Sequence, residues 1–129
     1  MAQATTYLDN ALIGHLFRNS ALSSPTTVYC ALFTVSPTVS GGGSELSTTG
    51  SYTRQAITFG PALTGSSANT NVLTFGPASL PWGTITSFAI FDASSAGNML
   101  VFNNLNSSVT VNQGDSLQFI SASLGVTIS

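Results

Sequence analysis

The densest run of apolar residues lies between residues 82 and 102, and it predicts the centre of the fold. Residues 88–91 read Phe-Ala-Ile-Phe, and a strand with only apolar neighbours is typically covered on both of its faces. A turn-rich segment, residues 92–98, separates this run from the apolar residues 99–102, which is the pattern of a β-hairpin. The residues expected to form its core and its turn are Trp82, Phe88, Ile90, Phe91 and Asp92.

The alternation of apolar and polar residues is interrupted within the first strand of this hairpin. Ile85 and Phe88 are both apolar, but they would lie on opposite faces of a regular strand because successive side chains alternate. A β-bulge near Ser87 would bring both side chains to the same face. We therefore predict a bulge at this position.

Residues 6–22 have the periodicity of an amphipathic helix. Thr6 is the expected N-cap, and Pro25 prevents the helix from continuing. One such helix cannot bury its apolar stripe alone, so we expect it to pack on a sheet or on a partner. The apolar residues of the stripe are Leu8, Leu12, Ile13, Leu16 and Phe17.

The rest of the chain alternates between short β-prone segments and turns. The segments rich in β-branched and aromatic residues are 26–35, 52–59, 105–111, 117–120 and 124–128. The predicted fold class is therefore mainly β, an antiparallel β-sandwich of the jelly-roll or Ig-like kind. We expect about seven to eight strands and one N-terminal amphipathic α-helix, with residues 1–129 forming a single domain.

Residues 36–51 contain few apolar side chains and predict a long loop or an extended arm. Structureless loops longer than about 12–15 residues are usually functional or disordered. The segment is therefore a candidate interaction arm, and a loop that only joins two strands is an equal alternative. The residues that give the arm its reach and its apolar contacts are Val39, Gly41, Gly42, Gly43 and Leu46.

The charge content is the most unusual feature of the composition. Only 5% of the 129 residues are charged and the net charge is −2, whereas ordinary soluble domains are roughly 25% charged. The two cations, Arg18 and Arg54, are too few to neutralise phosphates, which argues against nucleic acid and against an anionic membrane surface as partners. No apolar run reaches the length of a membrane helix, and no secretory signal is visible.

Arg54 lies within a predicted strand, where a cation without a partner is costly. We therefore expect a structural ion pair at this residue. Asp9 suits the start of the helix and Asp115 suits a turn, which leaves Glu45 or Asp92 as the partner.

The residues needed for catalysis or metal binding do not form a recognisable pattern. His15 is the only histidine and Cys30 is the only cysteine, so an internal disulfide cannot form and a metal cluster lacks ligands. The carboxylates are scattered, and no nucleophile elbow, phosphate loop or dinucleotide motif is present. We expect no catalytic residue, no metal and no cofactor. Trp82 raises the alternative of stacking on a sugar, although its place at the head of the most apolar strand favours a core position.

Several segments that together cover most of the chain carry a family resemblance. They are YLDNALIGHLF, VYCALFTVSPT, GGGSELS, YTRQAITFGPA, a second TFGPA, WGTITSFAIFDA, GNMLVF and GDSLQF. In these segments the chain resembles a family of small virion proteins of tailed bacteriophages, often described as tail fibre proteins. The resemblance implies a non-enzymatic virion component with a β-sandwich body.

The function expected from the sequence is that of a structural, tail- or fibre-associated component of a tailed-phage virion. The expected partners are further copies of the chain, in a homo-oligomer, and other virion proteins, with a host surface glycan as a further candidate. Without a signal peptide, assembly is expected in the host cytoplasm. The alternatives are a capsid decoration, or cement, protein and a carbohydrate-binding module for host attachment.

Overall fold

The computed structural model describes residues 3–127, in which every strand pairing is antiparallel. The elements in chain order are β1 (Gln3–Ala4), α1 (Thr6–Phe17), β2 (Val28–Val35), β3 (Ser44–Glu45), a short 3-10 helix (Thr48–Gly50), β4 (Gln55–Ile57), β5 (Ser66–Ala68), β6 (Leu73–Phe75), β7 (Gly83–Phe91), β8 (Met99–Val111), β9 (Leu117–Phe119) and β10 (Gly125–Thr127). The predicted class, mainly β and antiparallel with one helix near the N-terminus, is confirmed.

The strands form two layers. The main sheet has six strands: its order is β1-β8-β7-β2-β3, and β4 pairs with the other half of β2. The second layer consists of two two-stranded sheets, β5 with β10 and β6 with β9. Leu32 and Ile90 of the main sheet share one buried cluster with Leu73, Phe75 and Leu117 of the second layer. The core therefore lies between the layers, as in a sandwich.

The described residues contain ten strands, more than the pattern predicted. β1, β3 and β5 are only two or three residues long, too short for an alternation of apolar and polar residues to be visible. The predicted strands at residues 99–102 and 105–111 are one continuous strand, β8. The last predicted strand, 124–128, corresponds to β10, and Ile128 lies outside the described residues.

β2 and β7 are apolar on both faces. Ile90 lies opposite Cys30, and Ala89 lies opposite Ala31, so the alternate residues of the two strands face opposite sides of the sheet. The main cluster on one face includes Cys30, Leu32, Phe88 and Ile90. The second cluster, on the other face, contains Ala31, Phe33, Ala89 and Phe91, with Met99 and Phe102 packed against it.

The register of β7 against β8 shifts between Ile85 and Ser87, which confirms the predicted bulge. Ile85 lies opposite Val109, whereas Ser87 lies opposite Asn104, so β8 carries the additional residues. Ile85 and Phe88 consequently belong to the same buried cluster. Ser87 is fully buried, and its Oγ has no hydrogen-bond partner.

Thr5 anchors the start of α1 to the main sheet. Its side chain is the N-cap and accepts a hydrogen bond from the Leu8 N–H at 3.3 Å, while its Oγ1 donates to the Met99 carbonyl at 2.6 Å. The Thr6 N–H donates to the Val39 carbonyl at 2.7 Å, which satisfies a free N–H of the first helical turn. The predicted N-cap, Thr6, is therefore wrong by one residue.

α1 ends at Phe17, before the predicted end at residue 22. Asn19 adopts a left-handed conformation with a φ of 55°, and the Ser20 N–H donates to the Gly14 carbonyl at 3.0 Å. A left-handed residue after the last turn commonly ends a helix, and asparagine tolerates this conformation. The turn at Asn19 therefore sets the end of the helix, well before Pro25.

The body of the protein covers only part of the apolar stripe that the helix was expected to pack on a sheet or on a partner, and a partner for the rest stays a prediction. Leu8 packs against the main cluster, but no residue of α1 is fully buried. Ile13, Leu16 and Phe17 are 54%, 67% and 79% exposed. Successive residues of a helix are about 100° apart around its axis, so Leu8 points away from Ile13 and Phe17. α1 therefore carries apolar residues on its outer side as well. We call Ile13, Leu16 and Phe17 the α1 surface.

Replacing Phe88 tests the contact between the two layers. Phe88→Ala should lower the free energy of unfolding by about 3–5 kcal/mol, because it leaves a cavity where a 4% exposed side chain packed. Chemical denaturation measures the change. Leu63→Ala, at a side chain that is 72% exposed, is the control and should change little. Equal midpoints for the two variants would show that Phe88 does not support the core.

Ser87→Ala should leave stability unchanged or raise it by about 1 kcal/mol, because it removes a buried hydroxyl without a partner. Ser67→Ala is the matched control, since the Ser67 Oγ donates to the Gly60 carbonyl at 2.6 Å. The control should lose about 1 kcal/mol of stability by the same denaturation measurement. A loss at Ser87 as large as that at Ser67 would mean that the Ser87 hydroxyl is satisfied.

Candidate functional site

Arg54 and Glu45 form a bidentate ion pair at the edge of the second apolar cluster. Arg54 Nη2 donates to Glu45 Oε1 and Arg54 Nε donates to Glu45 Oε2, both at 2.8 Å. The two side chains are 7% and 26% exposed. Desolvation offsets much of the attraction in such a pair, but the planar fork fixes how the two segments are placed. Of the two partners expected for Arg54, Glu45 forms the ion pair, and Asp92 has a different role.

The remaining contacts of Arg54 join three parts of the chain. Its guanidinium carbon lies 3.7 Å from the centroid of the Phe91 ring, a cation–π contact. Its Nη1 donates to the carbonyls of Ala93 and Ala96, both at 2.9 Å. The hydrogen bonds to Glu45 raise the pKa of Arg54 further above its ordinary value, so the guanidinium stays protonated. Arg54 thus holds together the 36–51 segment, the second cluster and the β7–β8 turn.

Tyr52 connects the ion pair to the main core. Its hydroxyl donates to Glu45 Oε2 at 2.8 Å and accepts from the Leu32 N–H at 3.0 Å. Burial raises the pKa of Tyr52, so the hydroxyl remains a donor at neutral pH. Both oxygens of Glu45 are therefore occupied by donors of the same chain.

Trp82 is a core residue at 7% exposure. Its Nε1 donates to the Gly50 carbonyl at 2.8 Å, and its ring meets that of Tyr52 edge-on at 5.8 Å. A Cβ at Gly50 would lie 2.7 Å from Trp82 Nε1, so the close approach requires glycine. Trp82 presents no open ring face on which a sugar could stack.

Asp92 orders the turn between β7 and β8. Its Oδ1 accepts from the Asn98 N–H at 2.7 Å, and its Oδ2 accepts from Asn98 Nδ2 at 3.1 Å. Gly97 has a φ of 75°, and a Cβ there would lie 2.6 Å from Asp92 Oδ1. The turn therefore presents the carbonyls of Ala93 and Ala96 to Arg54 in fixed positions.

The candidate arm, residues 36–51, is folded onto the body of its own chain over much of its length. It contains β3 and the 3-10 helix, so the prediction of a structureless segment is wrong for its second half. The Leu46 N–H donates to the Leu32 carbonyl at 3.0 Å, and the Leu46 side chain packs against the main cluster. Val39 is 41% exposed and lies beside the start of α1, where its carbonyl accepts from Thr6. A contact between the part of the arm around Val39 and another copy of the chain stays a prediction.

A shallow cleft of about 340 Å³ lies between the arm and the hairpin turn. Phe33 and Phe91 lie at this cleft, but they are only 2% and 8% exposed. The polar groups of its wall, Arg54 and Glu45, already bond to the protein. The cleft therefore offers a ligand little aromatic surface. The glycines that line it are Gly41, Gly42, Gly43 and Gly97.

The other groups with possible chemistry are separated from one another. Across residues 3–127, no three His, Cys, Asp or Glu side chains come together to hold a metal. Cys30 is fully buried, and burial raises the pKa of its thiol, which disfavours the reactive thiolate. His15 Nδ1 lies 3.3 Å from the Ser20 carbonyl at the end of α1. No helix within the described part of the chain is long and apolar enough to cross a membrane.

The sequence prediction missed the α1 surface as a candidate site. Leu16 and Phe17 lie three and four positions after Ile13, so each shares one side of the helix with Ile13. The signal was present in the sequence, because these residues and the pair Leu8 and Leu12 cannot all occupy one narrow stripe. Exposed apolar clusters of this kind mark interaction surfaces.

Removing Arg54 tests the ion pair. Arg54→Ala should lower the free energy of unfolding by about 3–5 kcal/mol, because it leaves Glu45 partly buried without its cation. Arg54→Lys should fall between wild type and Arg54→Ala, since lysine keeps the charge but not the fork. Arg18→Ala, at an exposed arginine, is the control and should denature like wild type. If Arg54→Ala were as stable as this control, the ion pair would not support the fold.

Comparison with known proteins identifies the family. No curated protein matches the chain. A family model described as "Podophage GP4 fiber I protein gp80" matches residues 3–127. This match confirms the resemblance to phage tail fibre proteins. Because it spans nearly the whole sequence, the chain belongs to the podophage GP4 fiber I protein gp80 family.

Proposed function

We propose that the protein is a non-enzymatic structural subunit of a podophage fibre and that it assembles through its α1 surface. Family membership supports the fibre role and a place in the virion, where the chain meets other virion proteins. The observation that carries the assembly proposal is the exposure of Ile13, Leu16 and Phe17.

The α1 surface has the character of a protein interface. A helix with apolar residues on two sides is normally covered on both, but the body of this protein covers only the side that carries Leu8. Aromatic and aliphatic residues dominate the cores of interfaces, whereas charged residues are depleted there. With 5% charged residues, this chain has few charges with which to build a charged contact surface.

The Arg54 cluster supports a structural role. Glu45 binds Arg54 and Tyr52, and Arg54 binds Glu45 and two backbone carbonyls, so these polar groups are committed to holding the fold. A general acid or base needs a group that can reach a substrate proton. A body whose polar cluster is bonded within the chain suits a subunit that presents one surface to its neighbours.

The proposed partners are further copies of the chain in a homo-oligomer and other fibre proteins. The exposed tip at Val39, beside the N-terminus of α1, would extend the contact surface. We further propose that residues 1–129 form one domain that assembles in the host cytoplasm. A capsid decoration protein could use the same surface, but the family description favours the fibre. The glycan alternative is less favoured, because Trp82 is buried.

The test is incorporation into phage particles. The double variant Leu16→Ser/Phe17→Ser should fold normally but be incorporated about tenfold less or worse, because burial of two large apolar side chains is lost. The matched control is Leu63→Ser/Ile120→Ser, at side chains that are 72% and 65% exposed outside α1. Quantitative gels of purified particles measure incorporation, and thermal melts verify folding. Equal incorporation of both double variants would refute assembly through α1.

A further inference from the structure

We propose that a cleft between β8 and the second layer of strands is a binding site for a neutral saccharide. The cleft has a volume of about 440 Å³, which lies within the range of small-molecule sites. β8 lines one side of it, and β9 and the start of β10 line the other. The described residues that line it belong neither to α1 nor to the surroundings of the buried Trp82. The inference therefore goes beyond the proposed assembly and does not depend on it.

The bulge in β8 forms part of the rim of this cleft. Residues 105–108 of β8 lie opposite the single residue Thr86 of β7, so β8 carries an extra length of chain at this point. Bulges are common next to active sites, where they redirect side chains. Asn106 and Ser107 lie in the middle of the bulge, are exposed and line the cleft. The bulge therefore supplies polar side chains to the cleft.

The polar side chains of the cleft keep free hydrogen-bonding atoms. Within residues 3–127, the side chains of Asn106 and Ser107 make no hydrogen bond. Asn103 Oδ1 accepts from the next backbone N–H at 2.9 Å, and its Nδ2 remains available as a donor. Gln118 Nε2 has a long contact of 3.4 Å to a threonine hydroxyl, and its Oε1 remains available as an acceptor. Because a primary amide carries a donor and an acceptor side by side, the cleft can serve ligand groups of both kinds.

The lining of the cleft selects for an uncharged ligand. None of the residues that line it in the described part of the chain is charged. An ionised ligand would lose hydration at this site without gaining an opposite charge. The ligand class is therefore neutral and rich in hydrogen-bonding groups.

The lining also favours a saccharide over a peptide. Protein and peptide partners usually anchor large apolar side chains in pockets, but Phe88, Leu117 and Leu124 are already buried in the core. The half-buried Leu105 and Phe119 offer only shallow apolar surface. A sugar ring carries hydroxyls that both donate and accept around its edge, and it has a flat C–H face. This combination matches free amides beside a shallow apolar floor.

We expect weak binding by a single copy of the protein. The exposed amides of Asn106 and Gln118 are hydrated in the free protein, so each hydrogen bond to a sugar replaces one to water. The dissociation constant of one site should therefore be about 1 mM. Copies that are held together in a fibre would bind a saccharide-covered surface more tightly through their combined sites.

Titration of the full-length, nitrogen-15-labelled protein with neutral disaccharides tests the inference by NMR. The probes are maltose, cellobiose, lactose and N,N′-diacetylchitobiose, each at up to about 100 mM. At least one of them should shift the side-chain amide signals of Asn106 and Gln118 in a saturable way. Glucuronate and a capped triserine peptide are the charged and the peptide comparisons, and both should bind at least about threefold more weakly than that disaccharide.

Four single variants locate the site. Asn106→Ala and Gln118→Ala should each weaken binding by about two- to tenfold, because each removes one amide from the cleft. Asn10→Ala and Gln113→Ala remove exposed amides elsewhere on the protein and should bind like wild type. Thermal melts verify that all four variants fold.

Three results would overturn the inference. The absence of a saturable shift with every disaccharide would refute the site. Binding that is unchanged in both Asn106→Ala and Gln118→Ala would place the ligand elsewhere. Binding of glucuronate or of capped triserine as tightly as the best disaccharide would refute the ligand class. None of these results affects the incorporation test of Leu16→Ser/Phe17→Ser, so the proposed function stands or fails separately.

Discussion

The fold depends on covering both faces of its central strand pair. β2 and β7 carry apolar side chains on each side, so a single layer packed on one face would leave Phe33 and Phe91 in water. The second layer of short strands covers one face. The other face is closed at one end by smaller parts: the glycine-rich arm, the β7–β8 turn and the side chain of Arg54.

Arg54 shows how a chain with few charges uses one of them. Its guanidinium lies over the Phe91 ring and bonds to Glu45 and to two carbonyls of the turn, so one side chain joins segments that are distant in sequence. Hydrogen bonds at such a shielded site fix the positions of the bonded groups more than they add to the net free energy of folding. The same geometry leaves both oxygens of Glu45 and the guanidinium of Arg54 bonded within the chain, which agrees with the structural role of the fibre family.

The outer side of α1 differs from the Arg54 cluster, whose polar groups have partners within the chain. The body satisfies the first helical turn through Thr5 and Val39, yet it leaves Ile13, Leu16 and Phe17 in solvent. Exposed apolar area of this kind lowers the free energy of association when a partner covers it. The family forms part of a fibre, and a fibre protein contacts other virion proteins, which agrees with the proposed use of such a surface.

The sequence by itself determined the features that depend on local periodicity. The run at residues 88–91 specified a strand buried on both faces, and the slip between Ile85 and Phe88 located the bulge. The position of Arg54 in a predicted strand, in a chain with only two cations, indicated that it pairs with a carboxylate. Only the tertiary structure decided that this carboxylate is Glu45, that residues 36–51 fold back onto the body, and that α1 turns its later apolar residues outward. These outcomes depend on contacts between distant segments. In the sequence, Glu45 and Asp92 are equivalent candidates for the partner of Arg54, and the two apolar sides of α1 are equivalent candidates for burial. Only packing decides which of them the body of the protein covers.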